Sequence, residues 1–331
     1  LFILLRRLAD GGTSIIFISH KLREVFDIAD RITVLRRGRT ALSVPTSDTD
    51  QQRVVAAMTG RTDVNLGRVE HQRRPGDVVL AADGVCTAGH DHDAALRDVS
   101  LAVRGGEIVG IAGVEGNGQT TLAEVLIGTA TTTSGLITIA NDSIAGLDVD
   151  GRRSLGLAYV PEDRHREGIP VNGTVLEGLT AGRLRAGQAP RPWANAFSKT
   201  LRRWAGEVIA RYSITTPDAE ARCSTLSGGN QQKVVIAREL EDRPRCLLLA
   251  QPTRGVDLGA IEFIYERITQ AVEHGCAVLL ISADLDELLR LTDRVLVMYG
   301  GQIVAERESA RTTREELGTY MTGSDTATSA A

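Results

Sequence analysis

Two segments of this chain carry the same pattern of residues, 263 positions apart. Residues 12–39 read GTSIIFISHKLREVFDIADRITVLRRGR, and residues 275–302 read GCAVLLISADLDELLRLTDRVLVMYGGQ, without a gap between the two readings. In both segments the apolar positions predict a strand, a short helix and a second strand that ends at a glycine turn. Self-similarity of this kind is typical of an internal duplication. The chain should therefore hold parts of two related domains.

The repeat sets the predicted domain boundaries. Residues 1–60 are interpreted as the C-terminal remnant of a first domain, and the missing start methionine predicts a truncated chain. Residues 61–77 are polar and aperiodic, which is typical of a linker. Residues 78–323 should form a complete second domain, and residues 324–331 a disordered tail.

The composition excludes several classes of protein. The net charge is −4 over 331 residues, and acids and bases are mixed, so no basic face for nucleic acid is expected. The apolar runs are much shorter than the roughly 18 residues of a membrane-spanning helix, so a membrane role would require a partner. The cysteines lie far apart and predict free thiols in a reducing cytosol. They are Cys86, Cys223, Cys246 and Cys276.

A glycine-rich turn follows an apolar strand at Ile108–Ala112 and leads into a helix that starts near Gln119. The pattern GxxxxGK[ST] of a phosphate loop is met except at Gln119, which stands where the lysine belongs. Backbone N–H groups and a helix N-terminus suit phosphate oxygens, and the hydroxyl of Thr120 suits Mg²⁺. Without the lysine, a plain strand–turn–helix connection explains this segment equally well. The candidate phosphate-binding residues are Gly113, Glu115, Gly116, Asn117, Gly118, Gln119, Thr120 and Thr121.

Three later motifs supply a family resemblance. LSGGNQQ at residues 226–232 precedes an amphipathic helix and resembles the signature motif of ABC-transporter ATPases. QPTRGVD at residues 251–257 is similar to the end of their Walker B motif and their D-loop. PEDRHREG at residues 161–168 looks like the Q-loop region of the simple-sugar and nucleoside importer branch. The order and spacing of the motifs resemble an ABC domain throughout residues 78–323. The GNGQ loop, AQPTRGVD and ISADLDE together most resemble the second domain of nucleoside-type importers.

The resemblance implies a fold, cofactors and partners. The fold would be an α/β P-loop NTPase of ABC type, with a parallel-sheet core, an antiparallel β edge from residues 78–105 and a helical subdomain inserted at about 165–225. The cofactors would be ATP and Mg²⁺, with Thr120 as the metal ligand. The partners would be transmembrane permease subunits and, indirectly, an extracytoplasmic substrate-binding protein, but no nucleic acid. The chain would lie at the cytoplasmic face of the membrane.

The second domain departs from the family pattern at its own ATP site. Ala250 and Gln251 replace the Asp–Glu pair that ends Walker B, and Glu162 stands at the Q-loop glutamine position. Ala283 replaces the switch histidine, which the first copy retains as His20. Gln251 cannot act as a base, although its amide can orient a water molecule. These losses predict a site that holds ATP and does not hydrolyse it.

ABC domains pair head to tail, so the signature of one domain completes the ATP site of the other. By this resemblance, the signature here would serve the first domain's site together with His20 and the D-loop. The residues implied are Ser227, Gly228, Gly229, Asn230, Gln231 and Asp257.

The leading hypothesis is therefore an ATP-hydrolysing, energy-coupling subunit of an importer for nucleosides, with simple sugars as the second choice of cargo. Two alternatives remain open at this point. One is a soluble tandem ABC protein that acts on ribosomes or DNA, and the other is a regulatory module that binds nucleotide without hydrolysis.

Overall fold

The computed structural model describes residues 2–19, 21–36, 38–60, 67–69, 74–89, 93–182 and 195–323. The chain divides into two compact units. Unit 1 consists of Leu1–Gly67 and Val256–Phe263, and unit 2 consists of Arg68–Gly255 and Ile264–Ala331. The predicted bounds at residues 60 and 78 remain predictions. No helix in the described ranges is long and apolar enough to cross a membrane.

Unit 1 combines one antiparallel β-hairpin with short helices. Its elements are α1 (Phe2–Asp10), α2 (Leu22–Ile28), β1 (Arg31–Arg36), β2 (Arg39–Pro45) and α3 (Gln51–Thr59). β1 and β2 pair antiparallel, and Ile32 and Val34 from β1 pack with Val54 from α3 in a small core. Asp50 begins α3 by accepting a hydrogen bond from the Arg53 N–H, as expected of an N-cap aspartate.

Unit 2 contains the larger set of strands and helices. Its strands are β3 (Val78–Cys86), β4 (Val99–Arg104), β5 (Ile108–Ala112), β6 (Ser134–Ile139), β7 (Asp142–Ser143), β8 (Leu157–Val160), β9 (Cys246–Ala250), β10 (Ala277–Ile281), β11 (Arg294–Tyr299) and β12 (Gln302–Glu308). Its helices are α4 (Gln119–Ile127), α5 (Val149–Ser154), α6 (Val175–Thr180), α7 (Asn195–Arg211), α8 (Gly228–Leu240), α9 (Leu258–Glu273, which begins in unit 1), α10 (Leu285–Leu291) and α11 (Arg314–Met321).

The core of unit 2 is a six-stranded sheet in the order β12-β11-β5-β10-β9-β8. All neighbouring pairs are parallel except β11 and β12. The sequences IVGIA, CLLLA and AVLLI of β5, β9 and β10 are buried throughout. Continuous apolar runs are what strands covered on both faces require, and they are the reason that these three strands lie at the centre.

The antiparallel part of the fold differs in detail from the prediction. β3 and β4 do lie within residues 78–105 and pair antiparallel, but they belong to a separate sheet of order β4-β3-β6-β7. The antiparallel edge of the central sheet is β12. In the predicted helical insertion at 165–225, the described elements are α6, α7 and two short turns. All four cysteines are free thiols, as predicted.

The internal repeat is visible in the structure with the same offset. α2, β1 and β2 correspond residue for residue to α10, β11 and β12. Both hairpins even have the same β-bulge, after Val34 in one and after Val297 in the other. The repeat therefore describes two copies of one local structure.

One predicted element of the first copy is wrong. Residues 13–19 form no strand, whereas their counterpart is β10. β10 is hydrogen-bonded to β5 on one side and β9 on the other. In the described part of unit 1 the strands are β1 and β2, which pair with each other. Without a neighbouring strand, the backbone N–H and C=O groups of an apolar segment lack the hydrogen-bond partners that a sheet provides.

Candidate functional site

Four neighbouring strands of the central sheet end at the same edge. β5, β10, β9 and β8 are adjacent and parallel, so their carboxyl ends open together, where ligands bind in open α/β sheets. The glycine-rich loop at residues 113–118 follows β5, and Ala283 lies just beyond β10. Gln251 follows β9 directly, and Glu162 lies just beyond β8. Four segments chosen from the sequence are thus brought to one edge.

The loop after β5 needs glycine at two positions for steric reasons. Gly118 has a φ of 105° where it begins α4, and a Cβ there would lie 3.1 Å from Cα of Gly301. A Cβ on Gly113 would lie 2.9 Å from the backbone carbonyl oxygen of Met298. The loop is therefore as tight as the phosphate-loop pattern predicts.

Gln119 folds back across this loop and braces it. Its side chain is buried, with Nε2 donating to the Val114 carbonyl at 3.2 Å and Oε1 accepting from the Asn117 N–H at 3.2 Å. Asn117 fixes the loop from the other side, since its Oδ1 accepts from the Gly300 N–H at 2.8 Å. A neutral amide engaged in this way brings no positive charge to a bound phosphate.

The structure reveals a residue at the loop that the sequence reasoning missed. The carboxylate of Asp93 accepts hydrogen bonds from the Gly118 N–H at 2.6 Å and from the Thr121 N–H at 3.0 Å. It also lies 3.3 Å from Oγ1 of Thr121. The N-terminus of α4 therefore already holds an anionic group, as the helix dipole and the free N–H groups favour. No pattern in the sequence links Asp93 to a loop 25 residues further on.

Ligands for magnesium are few at this edge. Thr120, the predicted metal ligand, is exposed in the first turn of α4. Ala250 is buried at the end of β9 without a ligand atom, and Gln251 offers an amide oxygen. Within the described residues, no three His, Cys, Asp or Glu side chains are grouped to hold a metal ion. A magnesium ion at this edge would have the Thr120 hydroxyl and the Gln251 amide oxygen as candidate protein ligands.

Gln251 adopts an unusual backbone conformation at the end of β9. Its φ is 47°, in the left-handed region that non-glycine residues rarely occupy. Two hydrogen bonds to the neighbouring strand end hold it there: its N–H donates to the Ile281 carbonyl at 2.8 Å, and its Oε1 accepts from the Ala283 N–H at 3.2 Å. Strain of this kind costs of order 1–3 kcal/mol and clusters at functional sites.

A buried acid supports the turn after β10. Oγ of Ser282 donates to Oε2 of Glu287 at 2.6 Å, and Glu287 is only 4% exposed. Burial raises the pKa of Glu287 to about 7, and the hydrogen bond from Ser282 opposes that rise. The first copy has the same contact, with Oγ of Ser19 donating to Glu24 at 3.0 Å. His20, the predicted switch histidine beside Ser19, lies outside the described residues.

The predicted Q-loop position is tied to the segment after β9. Glu162 forms an ion pair with Arg254. Arg164 donates to the carbonyl of Arg254 at 2.8 Å and to that of Gly255 at 3.3 Å. Glu162 is thus held beside Arg254 by contacts that need no ligand.

The predicted signature residues cap α8. Oγ of Ser227 accepts from Nδ2 of Asn230 at 3.0 Å and from its backbone N–H at 3.4 Å. Gly228 lies against a guanidinium, because a Cβ there would be 2.7 Å from a terminal nitrogen of Arg164. Gly229 is buried in the first turn. Ser227 thus caps the helix, and the two glycines bring no side chain to its first turn.

Two other predicted site residues have internal partners. Gln231 is buried, with Nε2 donating to the Cys223 carbonyl at 3.0 Å and Oε1 lying 2.8 Å from Nε2 of His165. Asp257 belongs to unit 1, where its carboxylate accepts from the Ala260 N–H at 3.0 Å. Both side chains stabilise the fold locally in this structure.

A buried ion-pair network anchors the C-terminal end of α8. The side chain of Glu239 is fully buried and pairs with Arg238 at 2.7 Å and with Arg153 at 2.9 Å. It also accepts from the Tyr159 N–H of β8 at 3.3 Å. Arg238 in turn donates to the Gly168 carbonyl at 2.6 Å. The network joins α8 to β8 and to the start of the 165–225 segment.

Comparison with known proteins shows what this chain is similar to. Residues 96–254 match the family model described as ABC transporter. The guanosine import ATP-binding protein NupO of Bacillus subtilis is 38% identical over 324 residues, which cover 97% of this chain and 62% of that protein. The glucose import ATP-binding protein of Haloferax volcanii is 40% identical over 334 residues, covering 100% of this chain and 60% of that protein. The chain thus spans about three fifths of these relatives.

Solved structures agree on the fold. The crystal structure of a nucleotide-free ATP-binding cassette from an ABC transporter matches with a TM-score of 0.61 and 23% identity. The match covers 74% of this chain and 96% of that one. The predicted P-loop NTPase fold of ABC type is confirmed.

Proposed function

We propose that this chain, which carries an ABC transporter ATP-binding domain, is the energy-coupling part of an importer at the cytoplasmic face of a membrane. The observation that carries the proposal is the loop after β5, whose N–H groups at Gly118 and Thr121 hold a carboxylate. Backbone donors of a glycine-rich loop that hold one anion suit the phosphates of ATP. The position of the loop at the carboxyl edge of a parallel sheet supports the same ligand.

The site of unit 2 binds ATP and does not hydrolyse it. Gln119 supplies no charge, Ala250 no metal ligand and Gln251 no base. Magnesium would reach this site through the Thr120 hydroxyl and the nucleotide's own phosphate oxygens. This supports a holding role for the second site. Taken alone, the same observation favours a nucleotide-binding regulatory module.

The repeat suggests a tandem arrangement of two domains, and in that arrangement the first domain hydrolyses ATP. Ile16 and Ile18 of the first copy are 93% and 92% exposed, whereas their counterparts Leu279 and Ile281 are 0% and 5% exposed in β10. The first copy thus has the apolar residues of a central strand. Its His20 would act with the signature of the second domain, at Ser227, Gly228, Gly229 and Asn230.

The cargo that we propose is a nucleoside, with a simple sugar as the alternative. The GNGQ loop, AQPTRGVD and ISADLDE support the nucleoside branch. The names of the two relatives point to guanosine and to glucose. Permease subunits would receive the motion through residues 165–225, and a substrate-binding protein would act indirectly. The mixed surface charge gives no support to a nucleic-acid partner.

ATP binding and hydrolysis by this chain test the proposal directly. Isothermal titration should detect ATP binding, while phosphate release with excess Mg-ATP stays at the buffer rate. Failure to bind ATP would contradict the proposal. Substantial turnover would show that Gln119 and Gln251 suffice for the chemistry.

A transport assay with the whole complex tests the cargo. Unlabelled uridine and adenosine should compete with uptake of a labelled nucleoside, and ribose should not. Competition by ribose alone would replace the nucleoside with a simple sugar. Uptake that persists after ATP depletion would contradict the energy-coupling role.

A further inference from the structure

Asp93 occupies the donors that the phosphate loop would offer to a ligand. Its two carboxylate oxygens accept from the N–H groups of Gly118 and Thr121, at 2.6 Å and 3.0 Å. These two N–H groups belong to the last glycine of the loop and to the first turn of α4. In loops of this pattern, such N–H groups cradle the α- and β-phosphates of a nucleotide.

The carboxylate and a phosphate exclude one another at this position. Each backbone N–H has one hydrogen to donate, so an oxygen of a phosphate must displace the oxygen of Asp93 before it can bind. Both groups are anions and would repel each other if they lay side by side. Gln119, which stands in place of the lysine, supplies no positive charge to relieve that repulsion.

Asp93 is held in place by an ordered segment. Oγ1 of Thr121 lies 3.1 Å from the Ala94 carbonyl and donates to it. Two residues further on, the Leu96 N–H donates to Oγ1 of Thr87 at 2.9 Å, and the Leu96 carbonyl accepts from the Thr87 N–H at 3.1 Å. The segment that carries the carboxylate is therefore fixed to the β3–β4 sheet. Asp93 itself is only half-buried, so it can leave the loop without unpacking the core.

We infer that Asp93 is an intramolecular competitor of the nucleotide phosphates, which lowers the affinity of this site and must leave the loop before a nucleotide can bind. The inference rests on the proposed binding of ATP at this loop. It identifies Asp93 as a residue that sets the affinity of the site for nucleotide phosphates.

Two variants of Asp93 test the inference by titration with ATP, ADP and adenosine. Asp93→Ala removes the carboxylate, and Asp93→Asn keeps the shape and one oxygen but removes the charge. We expect both to bind ATP and ADP about tenfold more tightly than the parent, since a charge-assisted competitor is lost. Adenosine, which has no phosphate, should gain no affinity. Asp83→Asn, an exposed residue of β3, is the control for the loss of one negative charge.

Thermal unfolding of the same proteins separates competition from a purely structural role. Without nucleotide, Asp93→Ala should unfold at a lower temperature, because the carboxylate also caps α4. Saturating ATP should remove this difference in unfolding temperature, since ATP accepts hydrogen bonds from the same N–H groups and binds the variant more tightly.

The outcomes distinguish this inference from the proposed function. Equal ATP affinity in the parent and both Asp93 variants would overturn the inference alone. Binding of ATP by none of the proteins would overturn the nucleotide proposal, and the inference with it. Tighter ATP binding in Asp83→Asn to the same degree would assign the effect to overall charge and also overturn the inference.

Discussion

Oε1 of Gln251 accepts a hydrogen bond from the N–H of Ala283 at 3.2 Å, so the two residues predicted to stand at the base and switch positions are in direct contact. Both are neutral, and neither can accept a proton from water. We therefore expect Gln251→Ala to leave phosphate release at the same background rate as the parent chain. The Ala250→Asp, Gln251→Glu double variant serves as the comparison that restores both carboxylates. Turnover in the parent that disappears in Gln251→Ala would contradict the holding role.

The lysine position of the loop should control ATP affinity. Gln119→Lys replaces a neutral amide with a charge-assisted donor, and we expect ATP to bind about ten- to a hundredfold more tightly. Titration calorimetry measures the change. Gln302→Lys adds the same charge at an exposed position of β12 and should leave the affinity unchanged. Equal gains in the two variants would show that overall charge, not the loop, is responsible.

Glu287 should make the stability of unit 2 depend on pH. Its pKa rises from 4.5 to about 7 on folding, because burial penalises the carboxylate. Its contribution to the free energy of unfolding is fully present below about pH 4.5 and is lost as the pH rises through about 7. Denaturant unfolding at pH 5 and pH 8 should show a loss on the order of 1–3 kcal/mol from this group.

Matched variants identify the group responsible for this loss. Glu287→Gln cannot ionise and should flatten the pH dependence between pH 5 and pH 8. Glu315→Gln changes an exposed glutamate of α11 and should keep the pH dependence of the parent chain. A profile that is unchanged in Glu287→Gln would assign the pH dependence to other groups.

The ion pairs of Glu239 should matter more than those at the surface. Glu239→Ala leaves Arg238 buried without its carboxylate, which we expect to cost about 3–5 kcal/mol of unfolding free energy. Glu220→Ala breaks a pair with Arg202 whose side chains are 50% and 54% exposed, so the cost should stay below about 1 kcal/mol. Urea unfolding followed by circular dichroism measures both. Equal costs would show that burial of the network contributes nothing.

Those parts of the fold that depend on local patterns were predictable from the sequence. The strand at Ile108–Ala112, the helix from Gln119 and the signature helix lie where the apolar periodicity and the glycines place them. The strand predicted within residues 13–19 failed, because a strand also depends on its neighbours in the sheet. Both copies have the same apolar pattern, but the segment of the second copy lies between two strands of a sheet, whereas residues 13–19 form no strand.

The candidate site was predictable to the same extent. Motifs identify residues that lie close together in the chain, so the loop and the strand ends could be chosen in advance. Asp93 could not, because its contact with Gly118 depends on how the β3–β4 sheet is placed beside α4. The inward turn of Gln119 also depends on the three-dimensional shape of the loop.

The β-bulge shared by the hairpins at residues 31–45 and 294–308 carries a consequence for how the two copies diverged. An irregularity at the same step of both ladders is what two copies of one duplicated hairpin should share. The bulge forms both in a two-stranded sheet and at the edge of a six-stranded sheet, so it depends on the hairpin's own residues more than on the strands that border it. The two copies differ two positions before this helix–hairpin unit, where the first has His20 and the second Ala283, while both hairpins keep the bulge.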